Sequence, residues 1–202
     1  KYLLVHSGSR NFGYKVAEYH QRKAKEYCAS KSDIVYKVPK TLAFLEGKLK
    51  DDYLEDMQVA LDMADANRKA IAKEILGHLG LSYISLDSFS TIHNYIDLER
   101  GFIRKGAISA YDGEKMVIPW NMRDGSIIAM GKGEKEWNYS APHGAGRVLS
   151  RKAAKQQLSM TDFINQMHGV YTTSVNKSTL DESPEAYKDS SEILAYLNQT
   201  AS

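Results

Sequence analysis

The residues best suited to chemistry lie together at Ser140, Ala141, Pro142, His143, Gly144, Ala145, Gly146 and Arg147, leading into Val148, Leu149, Ser150 and Arg151. Two glycines and an alanine keep the backbone bare beside a histidine. A helix is expected from about Ala145 to Gln157. Its first N–H groups would then form an anion site with little side-chain bulk in the way. On that helix Arg147 and Arg151 stand one turn apart and offer planar, bidentate donors to phosphate. A neutral imidazole at the mouth of such a site can attack phosphorus. A glycine-rich turn with a hydrogen-bonded histidine uses the same residues, and short glycine motifs are common.

Two further stretches carry histidine in a suggestive setting. His6, Ser7, Gly8, Ser9 and Arg10 follow a short apolar run and could hold a metal and a phosphate side by side, although loops of this composition also serve turn geometry alone. Ser90, Thr91, Ile92, His93, Asn94 and Tyr95 place a histidine that suits a metal when a neighbouring group fixes its tautomer. A hydrogen-bonded core histidine fits there equally well. His20, His78 and His168 lie in helical or polar surroundings and receive no role.

The elements that must position these groups alternate between helix and strand. Tyr2 to Val5 reads as a short buried strand. Tyr14 to Ala29 reads as a helix, with Val16, Ala17, His20 and Ala24 on one face. A linker with several Lys and Ser residues precedes Pro39. The clearest helix runs from about Lys50 to Leu79 on Leu54, Met57, Leu61, Ala64, Ile71 and Ile75, with Asp51 and Asp52 at its dipole-favoured start and Gly77 and Gly80 at its end. A hairpin between the two helices is expected. Short strands follow at Tyr83–Leu86, Phe102–Ile103, Lys115–Ile118 and Ser126–Met130, with a glycine turn over Tyr111–Glu114. Helices return at Thr161–Met167 and from a Ser183 cap with Pro184 to about Asn198. The class is α+β, short strands forming the active-site core with long helices flanking it.

Composition sets wide limits. The 202 residues are 43% hydrophobic and 26% charged, so a packed core is expected and disorder is not. A net charge of +2 excludes a strongly cationic coat but allows a local basic groove. The one cysteine, Cys28, permits no disulfide within the chain and fits a reducing cytoplasm. No apolar run reaches the ~18 residues of a membrane span, and no charged-then-apolar leader opens the chain. The expected location is the cytoplasm, with no membrane contact. Because Lys1 leads straight into an apolar run, the chain is expected to be part of a longer protein.

In order and spacing, His6 to Arg10, His93–Asn94, Arg104 to Ala107, His143 to Arg147 and Glu185 to Lys188 resemble the RtcB RNA-splicing ligase family over nearly the whole chain. The resemblance makes residues 1–202 the C-terminal portion of an RtcB-like catalytic domain. It implies a GTP- and manganese-dependent RNA ligase, in tRNA splicing or RNA repair, joining a 2′,3′-cyclic phosphate or 3′-phosphate end to a 5′-hydroxyl end. His143 would carry the guanylate, and His6 and His93 would bind manganese. His93, Asn94, Pro119, Ser126, Gly144, Ala145, Gly146 and Tyr187 would surround the nucleotide, with Ser126 and Tyr187 at guanine. Arg10, Arg147 and Arg151 would meet phosphate or RNA. No activating protein factor can be named.

The resemblance places two more metal-ligand motifs upstream of Lys1 and a guanine-binding lysine beyond Ser202. The chain alone is therefore expected to bind manganese poorly and to seal no RNA. The segment Ile118 to Ser126 departs from the family pattern, with Trp120 in place of a glycine and Arg123 adding charge. Those two residues suggest altered recognition of the nucleotide or the RNA end. They also motivate an alternative, a nucleotide- or RNA-end-binding module without catalysis. A metal-dependent phosphoesterase acting on RNA termini is the third reading.

Overall fold

Apolar spacing becomes two long helices, α1 over Arg10–Ser30 and α2 over Gly47–His78. In this computed structural model, which describes residues 1–31 and 38–202, they run antiparallel. Tyr27 meets Glu46, His20 meets Asp56 and Asn67 meets Ser7, so position falls along one helix as it rises along the other. The expected hairpin is present. His20 is buried at its centre, with Nε2 2.7 Å from Asp56 Oδ2 and its ring edge-on to Tyr19 and Tyr53. Most of the linker before Pro39 lies outside the described residues.

Several expectations for this region change. Tyr2–Val5 forms no strand and is largely exposed, Tyr2 at 86%. An apolar run becomes a strand only when a neighbour completes its hydrogen-bond ladder, and among the described residues none does. Asp51 and Asp52 fall one turn inside α2, which begins at Gly47. Burial near its end shifts from Ile75 to Leu76. Tyr83–Ser85 is a single 3-10 turn, closed by the Leu86 N–H on the Tyr83 carbonyl.

The chain divides into two compact units, Lys1–Ser88 and Phe89–Ser202. The second contains three two-stranded antiparallel sheets. β1 (Asn94–Asp97) pairs with β2 (Phe102–Lys105), and β3 (Ala107–Ser109) pairs with β6 (Ser140–Pro142). β4 (Lys115–Pro119) pairs with β5 (Ser126–Met130). Alternation along β4 turns Met116 and Ile118 inward, and Trp120 continues that row. These side chains pack with Ile108, Ala129, Ala141, Ala145 and Leu197 into the core.

Three short helices complete the unit: α3 (Arg151–Gln157), α4 (Met160–Gln166) and α5 (Ser190–Leu197). Phe163, Met167 and Leu180 form a second apolar cluster. Ser183 and Pro184 do open a turn, but it ends at Ala186. The last helix starts afresh at Ser190, where Asp189 accepts the Ser191 N–H. Helices with short antiparallel strands give the α+β class expected.

Candidate active site

The first strands bring two histidines together. Asn94 pairs with Lys105 across β1 and β2, and Ala107 pairs with Pro142 across β3 and β6. Gly106, between those pairings, donates its N–H to the His93 carbonyl and to Asn94 Oδ1, both at 3.0 Å. Its φ of 65° is left-handed, which a glycine accepts without steric cost. The chain therefore turns sharply and sets His93 and His143 face to face. Their ring centroids are 5.1 Å apart and the planes differ by 29°. Both residues are half-buried, so solvent reaches the pair.

Gly106 is the floor under His143. A methyl group there would meet Cε1 at 3.3 Å and Nδ1 at 3.5 Å. On the other side, the loop after His143 lies along the end of β4. Ala145 donates its N–H to the Pro119 carbonyl at 3.3 Å, and a methyl at Gly144 would come within 3.0 Å of the same oxygen. Pro119 pairs with Ser126. Gly146 accepts from the Lys188 N–H at 3.1 Å, and Arg147 bridges to Tyr187. Asn94, Pro119, Ser126, His143, Gly144, Ala145, Gly146 and Tyr187 thus join His93 in one unit. His6 and Arg10 belong to the other. There Asn67 and Arg68 of α2 hold the Ser7–Gly8 backbone, and Arg10 opens α1 with a φ of 55°.

No helix starts at Ala145. Gly146 turns left-handed at φ 72°, and the helix waits until Arg151, where the Ser150 hydroxyl accepts the Ala153 N–H. Arg147 and Arg151 are consequently not one helical turn apart. Both reach Asp181 and Glu182. Arg147 donates to the Leu149 and Asp181 carbonyls and to the Tyr187 hydroxyl, and Arg151 donates to both carboxylates. Hydrogen bonding from Arg151 holds Asp181 below the usual carboxylate range. Burial pulls Glu182 upward, but donors from Tyr187 and Arg151 outweigh it and keep Glu182 low.

Tyr187 donates its hydroxyl proton to Glu182, and burial together with that bond pushes its pKa up to about 12. A phenol pKa raised on folding adds stability that is intact below its ordinary 10.0 and lost as pH rises through about 12. Glu182→Gln is expected to bring this ionisation back toward 10.0, read as an extra phenolate absorbance step in the alkaline titration. An alkaline titration identical to the parent's would show that Glu182 does not hold the proton.

The site also rests on residues given no role in the sequence reading. Arg104 is 3% exposed and donates to Ser140 Oγ, Tyr95 Oη, Asp97 Oδ2, Tyr111 Oη and the Tyr139 carbonyl. Burial alone would lower its pKa, yet bonds to Tyr111 and Asp97 raise it, so the guanidinium stays charged. This buried arginine ties β1, β2 and β6 together. An open pocket of about 360 Å³ lies beside it, lined by Tyr95, Asp97, Arg100, Ser109, Tyr111 and Glu114; neither histidine lines it. The Arg104 to Ala107 motif was the one signal for this group. Trp120, at 7% exposed, packs in the core, and Arg123 pairs with Asp124 in the β4–β5 turn.

The family described as tRNA-splicing ligase RtcB matches residues 2–201. The chain belongs to the RtcB family. It is 31% identical over 216 residues to RNA-splicing ligase RtcB of Escherichia coli (strain K12), covering 96% of this chain and 51% of that protein. It is 28% identical to tRNA-splicing ligase RtcB of Aeropyrum pernix, covering 93% of this chain and 46% of that one. Against the Nanoarchaeum equitans protein of the same name, identity is 28%, with 95% and 47% covered. The chain spans about half the length of the curated relatives it matches. Among the described residues, no helix is long and apolar enough to cross a membrane.

Proposed function

We propose that these residues are the C-terminal portion of the catalytic domain of an RNA ligase. It uses GTP to join a 2′,3′-cyclic phosphate or 3′-phosphate RNA end to a 5′-hydroxyl end, in tRNA splicing or RNA repair, in the cytoplasm. The observation that carries the proposal is the half-buried His93–His143 ring pair beside a loop, Gly144 to Gly146, almost devoid of side chains.

In this reading the neutral imidazole of His143 attacks the α-phosphorus of GTP. The nitrogen–phosphorus bond forms as the bond to the pyrophosphate oxygen breaks, and pyrophosphate leaves. A cyclic phosphate end is first opened by water, which breaks the bond from phosphorus to the 2′-oxygen. An oxygen of the resulting RNA 3′-phosphate then accepts the guanylate and frees the imidazole. The 5′-hydroxyl oxygen attacks the activated 3′-phosphorus, GMP departs, and the hydroxyl proton is released. Asn94, Pro119, Ser126 and the bare loop border the nucleotide. Tyr187 meets guanine with its ring or as an acceptor, because its own proton is held by Glu182. Arg10 and the exposed side of Arg151 are assigned to RNA phosphate, and Arg147 braces the loop from behind.

Manganese fits this unit only in part. His93 is a suitable ligand, but among the described residues no three His, Cys, Asp or Glu side chains converge. The second assigned ligand, His6, lies in the other unit. No step is therefore assigned to the metal.

The test is to incubate the full-length protein with manganese and GTP labelled at the α-phosphate, then map the covalent adduct. A guanylate on the peptide containing His143 is the expected result. Nucleotide binding without an adduct would favour a binding module, and phosphate release from RNA ends without an adduct would favour a phosphoesterase.

A further inference from the structure

The two helices of the first unit differ sharply in charge. α1 carries five Lys and Arg against two Glu, a net +3, whereas α2 carries five against seven Asp and Glu, a net −2. The whole chain carries only +2, so α1 alone holds a local basic excess. Tyr14, Ala17, Glu18, Gln21, Arg22 and Lys25 follow i, i+3, i+4 spacing and form one stripe of α1. That stripe lines an open groove of about 320 Å³.

The groups in the groove are not equally available. Glu18 is already engaged, accepting from Lys15 Nζ at 3.2 Å and the Tyr14 hydroxyl at 3.3 Å. Arg22 and Lys25 are exposed, and no described carboxylate forms an ion pair with either. Tyr14 is 60% exposed, and Tyr19 is 45% exposed with Arg22 and Lys23 near its ring. Cations without a carboxylate partner, interleaved with exposed aromatic rings that already lie near Lys15, Arg22 and Lys23, suit a polyanion whose bases are unpaired, since a duplex hides the faces that would stack. The stripe from Tyr14 to Lys25 is about 16 Å long at the helical rise, room for a short run of nucleotides.

We propose that this face of α1 binds single-stranded RNA, with a base on Tyr14 and phosphates on Arg22 and Lys25. The choice of RNA as the polyanion rests on the ligase reading. The face belongs to the Lys1–Ser88 unit, whereas the residues assigned to nucleotide chemistry belong to Phe89–Ser202; it would hold the strand leading to an RNA end.

The test measures binding of a short single-stranded RNA with a 3′-phosphate to the full-length protein across a range of salt. Arg22→Gln/Lys25→Gln is expected to weaken binding by about tenfold and to flatten the salt slope by roughly 1.4, about 0.7 for each phosphate that is no longer neutralised. Tyr14→Ala should weaken binding by about tenfold with the slope unchanged, as expected when a stacking face is removed and no charge changes. All three positions are solvent-exposed, and circular dichroism checks that the helices persist. Parental affinity in both variants would overturn the proposal. So would an equal loss for polyglutamate or for blunt duplex RNA. GTP labelling needs no RNA and should stay at the parental rate in these variants. An absence of labelling in the parent would instead sink the ligase reading and leave the binding measurement interpretable.

Discussion

A His143→Ala protein is expected to take up no labelled guanylate, and a Gly106→Ala protein to take it up about tenfold more slowly with its fold intact. The first outcome follows from removing the nucleophile proposed above. The second follows from the floor beneath it. A methyl at Gly106 meets the imidazole at 3.3 Å, tighter than ordinary contact, so the ring must move by a few tenths of an ångström. Misplacement by about 1 Å can cost on the order of 100-fold in rate, and a shift of part of that distance costs correspondingly less.

Backbone strain is the competing explanation, because Gly106 is left-handed and alanine there is disfavoured. Gly101→Ala separates the two. Gly101 has a φ of 73° in the β1–β2 turn, but an added methyl there meets nothing within 4 Å. It bears the same strain without touching the ring, and should label at the parental rate. Equal slowing in both variants would assign the effect to strain. Parental labelling in Gly106→Ala would mean that the ring does not act from the position seen.

How much of this was legible in the sequence depends on whether neighbours or distant partners decide each element. Ser126–Met130 was readable to the residue, because β-branched and apolar side chains run unbroken there between turn residues. The long helix was readable because its apolar repeat extends over many turns. β1, β3 and β6 are three or four residues long and exist only through partners elsewhere in the chain, so no local pattern announces them. Tyr2–Val5 shows the converse, an apolar run with no described partner. At the site, the histidines and the glycine loop stood out as motifs, but the ring-on-ring geometry requires the Gly106 turn. The four-residue spacing of Arg147 and Arg151 looked helical. Their true partners, Asp181 and Glu182, lie some thirty residues on, beyond the reach of any periodicity.

Arg104→Met should destabilise the Phe89–Ser202 unit by about 3–5 kcal/mol, the usual cost of removing one partner from a buried ion pair. The Arg104 and Asp97 side chains are 2% and 9% exposed, with Nη1 3.0 Å from Oδ2. Methionine fills much of the space but donates nothing, so among the described residues the Asp97 carboxylate keeps the Arg100 N–H and a 3.5 Å contact from Tyr111. Ser140, Tyr95 and the Tyr139 carbonyl lose their donor in the same stroke. Both tryptophans, Trp120 and Trp137, lie in this unit, so urea unfolding followed by their fluorescence reports on it without interference from the helical hairpin. Adding Asp97→Asn removes the stranded charge and should recover roughly 1–2 kcal/mol, because an uncharged amide costs less to bury than a carboxylate. If the double variant is no more stable than Arg104→Met, the arginine acts through packing and its other bonds. The ion pair would then not be what joins the His93 strand to the strand that ends at His143.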